Sequence, residues 1–363
     1  MKYIDEFRQS SLILNCARAI ASITKNHWQI MEICGGQTHT ILKYGLDRLL
    51  PASISLLHGP GCPVCITPSF TIDQAIAIAQ QEGVIFCTFG DMLRVPGSKG
   101  DLALAKANGA DIRTLYSPLD ALTLAQSFPK SEIVFLAVGF ETTAPATALV
   151  VKKADQLGLD NFSLLCAHVL VPPAMASLLN SPQSKIQGFL AAGHVCTITG
   201  YQAYQAIAQQ YQVPIVVTGF EPADILQGIY HCIEQLEEGR FEVENCYSRS
   251  VKPYGNLQAL KLIEEVFTVV DRHWRGIGQI GNSGWELSWQ YRRFDALERF
   301  NDLPITENID SENICGEILQ GLRKPDQCPH FGIGCKPEHP LGAPMVSSEG
   351  ACAAYYHYLE RIG

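Results

Sequence analysis

The stretch Glu132–Pro145, which reads EIVFLAVGFETTAP, decides the fold of this 363-residue chain. Residues 132–138 are almost continuously apolar, as expected of a parallel strand that is covered on both faces. Gly139 follows the strand, and a helix is predicted from Ala144 to the glycine at position 158. A buried strand followed directly by a helix is the repeating unit of an α/β protein with a parallel sheet.

The same pattern recurs on both sides of this stretch. A second Gly-Phe-Glu sequence, Gly219–Glu221, follows the apolar strand 214–218, which indicates two related α/β halves. A helix is predicted over residues 3–24, and the four glycines between 276 and 284 are interpreted as a loop. Further strands are predicted at 28–33, 53–57, 83–89, 163–167 and 186–190.

Three acidic side chains come directly after predicted strands. They are Asp91, Glu141 and Glu221. Ligands of parallel sheets bind at the carboxyl ends of the strands, so these residues are predicted to line one cleft. For the two glutamates, capping of the following helix is the alternative interpretation.

A cysteine at a strand-to-helix turn is the first candidate for chemistry. Cys34 follows the strand 28–33 and opens the sequence CGGQTH, which ends at His39. The two glycines allow a sharp turn and close approach of a ligand, and a helix N-terminus lowers the pKa of a thiol. A reactive thiolate is therefore expected at Cys34, while a small buried cysteine in a tight turn remains the alternative.

A pair of cysteines lies at the next strand end. Cys62 and Cys65 form a C-x-x-C with a proline inside, in the sequence GPGCPVC. This arrangement is typical of dithiol–disulfide redox motifs. Half of a zinc site is the alternative, but the chain has no second C-x-x-C to complete it. His58, just before the motif, is interpreted as a hydrogen-bonded structural residue rather than a ligand.

Four more cysteines fall in the last fifty residues, within a Gly- and Pro-rich frame. Their spacing is C-x12-C-x6-C-x16-C, at Cys315, Cys328, Cys335 and Cys352. Thiolates bind both zinc and iron–sulfur clusters, but structural zinc usually takes closely spaced cysteine pairs. The wide spacing therefore favours an iron–sulfur cluster.

The composition excludes several classes of protein. The chain is 47% hydrophobic and 17% charged, which indicates a globular protein. Its net charge of −9, without a basic tract, argues against a nucleic-acid partner. No signal peptide or membrane-spanning run is recognised, so a cytoplasmic protein with no membrane partner is expected. Cytosolic thiols are kept reduced, so the thirteen cysteines indicate metal or redox chemistry.

Five long and unusual stretches occur in a characteristic order. They are Cys34–His39, Gly59–Cys65, Phe89–Gly97 (FGDMLRVPG), Gly139–Pro145 and Met345–Cys352 (MVSSEGAC). Together they resemble the HypD family, the maturation factors of [NiFe] hydrogenases, and the resemblance covers essentially the whole chain.

The resemblance implies two similar parallel-sheet α/β domains around a cleft, beside a cysteine-rich domain with a [4Fe-4S] cluster. With a HypC-type small chaperone, such proteins form the scaffold on which the Fe(CN)2CO group of the hydrogenase active site is assembled. HypE, together with HypF, supplies the cyanide. The chain would thus be a redox-active assembly scaffold that holds Fe(CN)2CO transiently, rather than a stand-alone enzyme.

The resemblance also implies roles for individual residues. Cys34 would hold the iron, and His39 would lie near it. Cys62 and Cys65 would be the redox dithiol that communicates with the cluster. The cluster ligands would be Cys315, Cys328, Cys335 and Cys352.

Four consecutive segments follow from this organisation. Residues 1–50 would pack with the iron–sulfur domain, residues 51–160 and 161–275 would form the two α/β domains, and residues 276–363 would form the cysteine domain. Two rival functions stay open: a cluster-linked thiol–disulfide reductase acting on protein disulfides, and a structural zinc protein. The scaffold leads because neither rival needs a third reactive thiol at Cys34.

Overall fold

The computed structural model describes residue 2, residues 4–303 and residues 314–359 of the chain. The predicted α/β fold with two parallel sheets is confirmed. The strands are β1 Trp28–Glu32, β2 Ile54–His58, β3 Val84–Thr88, β4 Asp111–Thr114, β5 Glu132–Gly139, β6 Phe162–His168, β7 Gly188–Ala192, β8 Ile215–Thr218, β9 Val243–Asn245, β10 Phe267–Trp274 and β11 Gly278–Leu287.

Helices connect the strands and cover the sheets. They are α1 Ser10–Ile23, α2 Gly35–Tyr44, α3 Pro63–Ile66, α4 Ser69–Ala79, α5 Leu102–Ala107, α6 Asp120–Ser127, α7 Ala144–Gln156, α8 Val171–Asn180, α9 Gly193–Thr199, α10 Ala203–Tyr211, α11 Pro222–Glu238, α12 Leu257–Val266, α13 Ala296–Arg299, α14 Ile314–Leu319 and α15 Ala351–Leu359. Short 3-10 turns lie at Asp5–Arg8, Leu46–Leu49, Gly90–Arg94, Trp289–Phe294, Pro325–Gln327 and Ala343–Met345. None of the helices in the described part of the chain is long and apolar enough to cross a membrane.

Sheet A has five parallel strands in the order β2-β1-β7-β8-β9, and sheet B has four in the order β4-β3-β5-β6. Both sheets carry helices on each face. In sheet A, α1 and α11 cover one side and α8 to α10 the other. In sheet B, α4 and α5 cover one side and α6, α7 and α12 the other. Double coverage explains why the central strand β5 is buried along seven of its eight residues.

The sheets divide the chain differently from the four consecutive segments expected. Strand β1 pairs with β2 on one side and on the other with β7, which begins at residue 188, whereas β6 joins sheet B although it begins after residue 161. Helix α1 packs on α11, and α2 of the N-terminal segment packs on α15 of the cysteine-rich segment. Apolar runs reveal strands, but the partner of a strand depends on tertiary packing that a local pattern does not encode.

The segment with four glycines is a strand hairpin, so its interpretation as a loop is wrong. Strands β10 and β11 pair antiparallel with an irregularity near Val270. Trp274 of the hairpin is fully buried in the core of sheet A, while Trp285 packs in the core of sheet B. The hairpin therefore ties the two sheets together. Glycines on β11 interrupt the alternation that reveals a strand from sequence.

Candidate functional site

A cavity of about 620 Å³ opens where the carboxyl ends of strands from both sheets meet. Its wall includes the loop after β2, the turns after β3, β4 and β5, and the beginning of α9. The polar side chains that reach it are Asp91, Thr142, Thr143, His194 and Glu349. Parallel sheets bind ligands at this edge, so the cavity is the candidate site.

Cys34 lies beneath this cavity at the N-cap of α2 and is only 5% exposed. Its Sγ is 3.7 Å from Nδ1 of His194, which lines the cavity. The ring of His194 in turn lies 5.1 Å from the ring of Phe220, centroid to centroid. Cys34 is therefore held between the sheet, a histidine and an aromatic ring.

Two glycines let other loops approach Cys34. A Cβ on Gly35 would lie 2.1 Å from the carbonyl oxygen of Glu349, and a Cβ on Gly61 would lie 2.3 Å from the backbone nitrogen of Cys34. Real side chains do not tolerate such distances, so only glycine allows the three segments to meet. The site thus depends on loops from residues 34–36, 59–65 and 347–350 at once.

The thiol of Cys34 is not activated as the helix N-terminus led us to expect. Burial raises the pKa of Cys34 to about 12, and the amides of Gly36 and Gln37 offset this only in part. Burial also lowers the pKa of His194 to about 4, so the imidazole is neutral. Without a metal ion, Cys34 is a protonated thiol next to a neutral ring, and a metal would have to displace its proton.

Two carboxylates stand on the cavity wall. Asp91 accepts a hydrogen bond of 2.8 Å from the hydroxyl of Ser347. The pKa of Glu349 is raised, mainly because the side chain is buried and to a smaller extent because the charge of Asp91 repels it. Two acidic side chains on the wall favour a cationic centre in the cavity.

The dithiol pair lies below the cavity wall. Cys62 is the N-cap of α3, is 2% exposed, and its Sγ accepts a hydrogen bond of 3.3 Å from the amide of Cys65. Burial raises the pKa of Cys65 well above its usual value, with smaller contributions from Cys62, Cys352 and Glu349. Since Cys352 belongs to the C-terminal cysteine group, the pair lies between the cavity and that group.

The four C-terminal cysteines come together although they are far apart in sequence. Burial raises the pKa of Cys352, and Cys315, Cys335 and Cys328 add to this. The pKa of Cys315 is raised to about 11, mainly by burial and then by Cys335 and Cys328, while Arg275 lowers it. None of the thirteen cysteines, all within the described residues, forms a disulfide. Four crowded thiols call for a cationic group.

The spacing of these sulfurs distinguishes between zinc and a cluster. Sulfurs that share one tetrahedral zinc lie about 4 Å apart, since each Zn–S bond is about 2.3 Å long. Among the described residues, the one set of three His, Cys, Asp or Glu donor atoms within 4.8 Å of one another lies elsewhere. The four cysteines are not in that set, and four cysteine thiolates are a donor set that iron–sulfur clusters take.

The remaining candidates lie outside the cavity. Glu221 forms a capping box with Asp224 at the start of α11 and an ion pair with Arg8. Glu141 is fully buried below the wall, where it accepts a hydrogen bond of 2.9 Å from the amide of Val171. The helix-cap alternative therefore describes Glu221, while Glu141 bonds the start of a different helix.

His39 faces away from Cys34. Its Nε2 lies 2.8 Å from the hydroxyl of Tyr358, and it lines a separate cavity beside α15. His58 is the structural histidine expected from the sequence. Its Nδ1 contacts the buried carboxylate of Glu32, and its Nε2 lies 2.8 Å from the hydroxyl of Tyr355. This network fastens sheet A to the helix that carries Cys352.

Comparison with known proteins decides the family. The HypD family model, described as "Hydrogenase formation hypA family", matches residues 11–359. The chain belongs to the HypD family. Hydrogenase maturation factor HypD2 of Bradyrhizobium diazoefficiens is 46% identical over 370 residues, which cover 99% of this chain and 97% of that protein. Hydrogenase maturation factor HypD of Escherichia coli is 46% identical over 369 residues, which cover 99% of both chains.

A third relative agrees: hydrogenase maturation factor HypD of Azotobacter vinelandii is 46% identical over 368 residues, covering 99% of this chain and 97% of that protein. The resemblance recognised in the sequence is confirmed, and this HypD-family chain has a role in hydrogenase maturation.

Sequence reasoning missed two residues of the site. His194 follows β7 directly, so the strand-end rule that selected Asp91 also applies to it. Glu349 lies within the MVSSEGAC stretch, but nothing in its local pattern connects it to a cavity between two sheets.

Proposed function

We propose that this chain holds iron through Cys34 while the Fe(CN)2CO group of a [NiFe] hydrogenase is assembled. The observation that supports this is the position of Cys34, a soft donor buried beneath a cavity with carboxylates and a neutral histidine around it. Thiolate is a donor that iron with cyanide and carbonyl ligands accepts. The Fe(CN)2CO group is cargo that leaves with the partner.

The cavity is large enough for an iron group that this chain and its partner bind together. About 620 Å³ exceeds what one iron with three diatomic ligands fills, so room remains for a thiolate from a HypC-type chaperone. HypE, with HypF, would deliver cyanide through the same opening. Thr142 and His194 line the cavity and would be available to donate hydrogen bonds to cyanide nitrogens, whereas the hydroxyl of Thr143 already donates to the carbonyl of Phe140, 3.1 Å away.

Each of the other cysteines has a role in this proposal. Cys315, Cys328, Cys335 and Cys352 would bind a resident [4Fe-4S] cluster, which transfers single electrons when bound. Cys62 and Cys65 can store two electrons as a disulfide. Cys65 is near enough to Cys352 and Glu349 for both to influence its pKa, which supports a dithiol that communicates with the cluster ligands and with the cavity.

Replacement of Cys34 by Ala tests the proposal. The chain is co-expressed with its small chaperone and the cyanide-supplying proteins and purified anaerobically, and the complex is analysed by infrared spectroscopy and for iron and sulfide. We expect nitrile and carbonyl bands and one iron beyond the cluster in the unaltered complex, and neither in the Cys34→Ala complex, while the four irons and four sulfides of the cluster remain in both. Cys87→Ala, a buried cysteine of sheet B, is the matched control and should keep the bands.

Full bands on the Cys34→Ala complex would refute the role of Cys34. The same measurement tests the disulfide-reductase alternative, which requires a thiol that a protein disulfide can reach. Cys62 is 2% exposed and Cys65 is fully buried, which disfavours that function. Turnover of a generic disulfide by the isolated chain, together with missing infrared bands, would favour it instead.

A further inference from the structure

A second cluster of metal-binding side chains lies at the edge of sheet A, outside the cavity. His231 is on α11, and Glu244 and Cys246 are on β9 and just after it. One donor atom from each of the three lies within 4.8 Å of the other two. Residues 244 and 246 are two apart on an extended strand, so their side chains point to the same side, toward the helix.

The contacts of His231 are unusual for a hydrogen-bonded histidine. Nδ1 is 2.9 Å from Oε1 of Glu244 and 3.7 Å from a carboxylate oxygen of Glu234. Nδ1 is buried, and its contact with Glu244 has the distance of an ion pair although it is not a hydrogen bond by geometry. An imidazole nitrogen and a carboxylate oxygen at this distance, with a second carboxylate close by, form an arrangement that a divalent cation can share.

The neighbours fix the other donors in place. Glu244 accepts a hydrogen bond of 3.1 Å at Oε2 from the amide of Gln235, one helical turn beyond His231. This bond keeps Oε2 directed away from His231 and leaves Oε1 facing it. Cys246 is half-buried, and its amide donates to the carbonyl of Val217 on the neighbouring strand, 2.9 Å away. Strand pairing and one side-chain bond therefore orient the donors before any ion arrives.

We propose that His231, Glu244 and Cys246 form a binding site for a divalent transition-metal cation of the zinc type. Imidazole, carboxylate and thiolate are each ligands that zinc takes in proteins. Glu234, 3.7 Å from Nδ1, can approach as a fourth ligand. The site would link α11 to the edge strand β9, which is only three residues long. It does not depend on the function proposed for Cys34.

Protection of Cys246 from alkylation tests this site directly. The intact chain with its cluster is treated anaerobically with iodoacetamide at increasing free Zn²⁺, and each cysteine is followed by mass spectrometry. At a free Zn²⁺ concentration about ten times the Kd, the alkylation of Cys246 should slow about tenfold, because only the metal-free fraction reacts. Cys166 on β6 of sheet B is also half-buried and lies away from the donor set, so its rate should not change.

Two variants identify the ligands. His231→Ala should abolish the protection, and Glu244→Gln should weaken it while keeping an acceptor for Gln235. His273→Ala, a half-buried histidine on β10, is the matched control and should leave protection unchanged. The proposal is overturned if Zn²⁺ does not slow the alkylation of Cys246, if it slows the alkylation of Cys166 equally, or if Cys246 in both variants is protected as in the unaltered chain.

Discussion

Glu141 should make the stability of this protein depend on pH. Burial raises its pKa from the usual 4.5 to about 7, and hydrogen bonds from its own amide and that of Val171 reduce the effect only in part. Because the folded-state pKa is the higher one, the folded state binds the proton more tightly, so stability is complete below pH 4.5 and declines as pH rises toward 7. The difference between the two values corresponds to about 3 kcal/mol.

Replacement of Glu141 by Gln removes this charge and keeps an acceptor for the amide of Val171. We expect the free energy of unfolding of Glu141→Gln, relative to the unaltered chain, to be about 2–3 kcal/mol more favourable near pH 8 than near pH 5. Anaerobic urea denaturation at both pH values measures it.

The control is Glu221→Gln, at the corresponding position of the other Gly-Phe-Glu sequence. Glu221 is half-exposed and paired with Arg8, so its replacement should not produce this gain at high pH. If the effect of Glu141→Gln on the free energy of unfolding is the same at both pH values, the carboxyl is not buried as described and the reasoning fails.

Three further outcomes follow from the packing around the site. Gly35→Ala should destabilise the protein by about 1–3 kcal/mol and reduce the nitrile bands of the complex, because its Cβ meets the carbonyl of Glu349. Urea denaturation measures the loss of stability and infrared spectroscopy measures the bands. A variant with unchanged stability and unchanged bands would contradict the close approach of the two segments. Tyr355→Phe should cost about 1–3 kcal/mol in urea denaturation, since it leaves His58 without its hydroxyl partner. Cys87, fully buried with its pKa raised to about 12, should resist alkylation until the protein unfolds; labelling of Cys87 in the native state by mass spectrometry would refute its burial.

The strands of both sheets could be predicted from sequence because burial on two faces leaves a continuous apolar run, as in Glu132–Gly139. The short edge strands 111–114 and 243–245 have no such run, since they are partly exposed. The hairpin 267–287 was missed because glycines interrupt its alternation. Strand order could not be predicted either, since pairing depends on contacts that are distant along the chain.

The cysteines of the site could be found from their spacing and from the strand-end rule, which depend on local sequence. The direction in which the pKa of Cys34 is shifted could not be predicted in this way. Local sequence places it at a helix N-terminus, which lowers a thiol pKa, whereas burial by Gly61 and Glu349 raises it to about 12. Burial by segments 27 and 315 residues away is not visible in a local pattern. His194, by contrast, follows β7 directly, so the strand-end rule could have selected it.

The path of the chain through sheet A has a consequence for biosynthesis. Strands β1 and β2 emerge from the ribosome early, but β7, the partner of β1, begins only at residue 188, after all of sheet B has been made. The pocket around Cys34 also needs the loop at Glu349, which is made 315 residues after Cys34. A growing polypeptide that has not reached this loop therefore cannot assemble the pocket. Under the function proposed above, iron could bind at Cys34 only after this loop is in place.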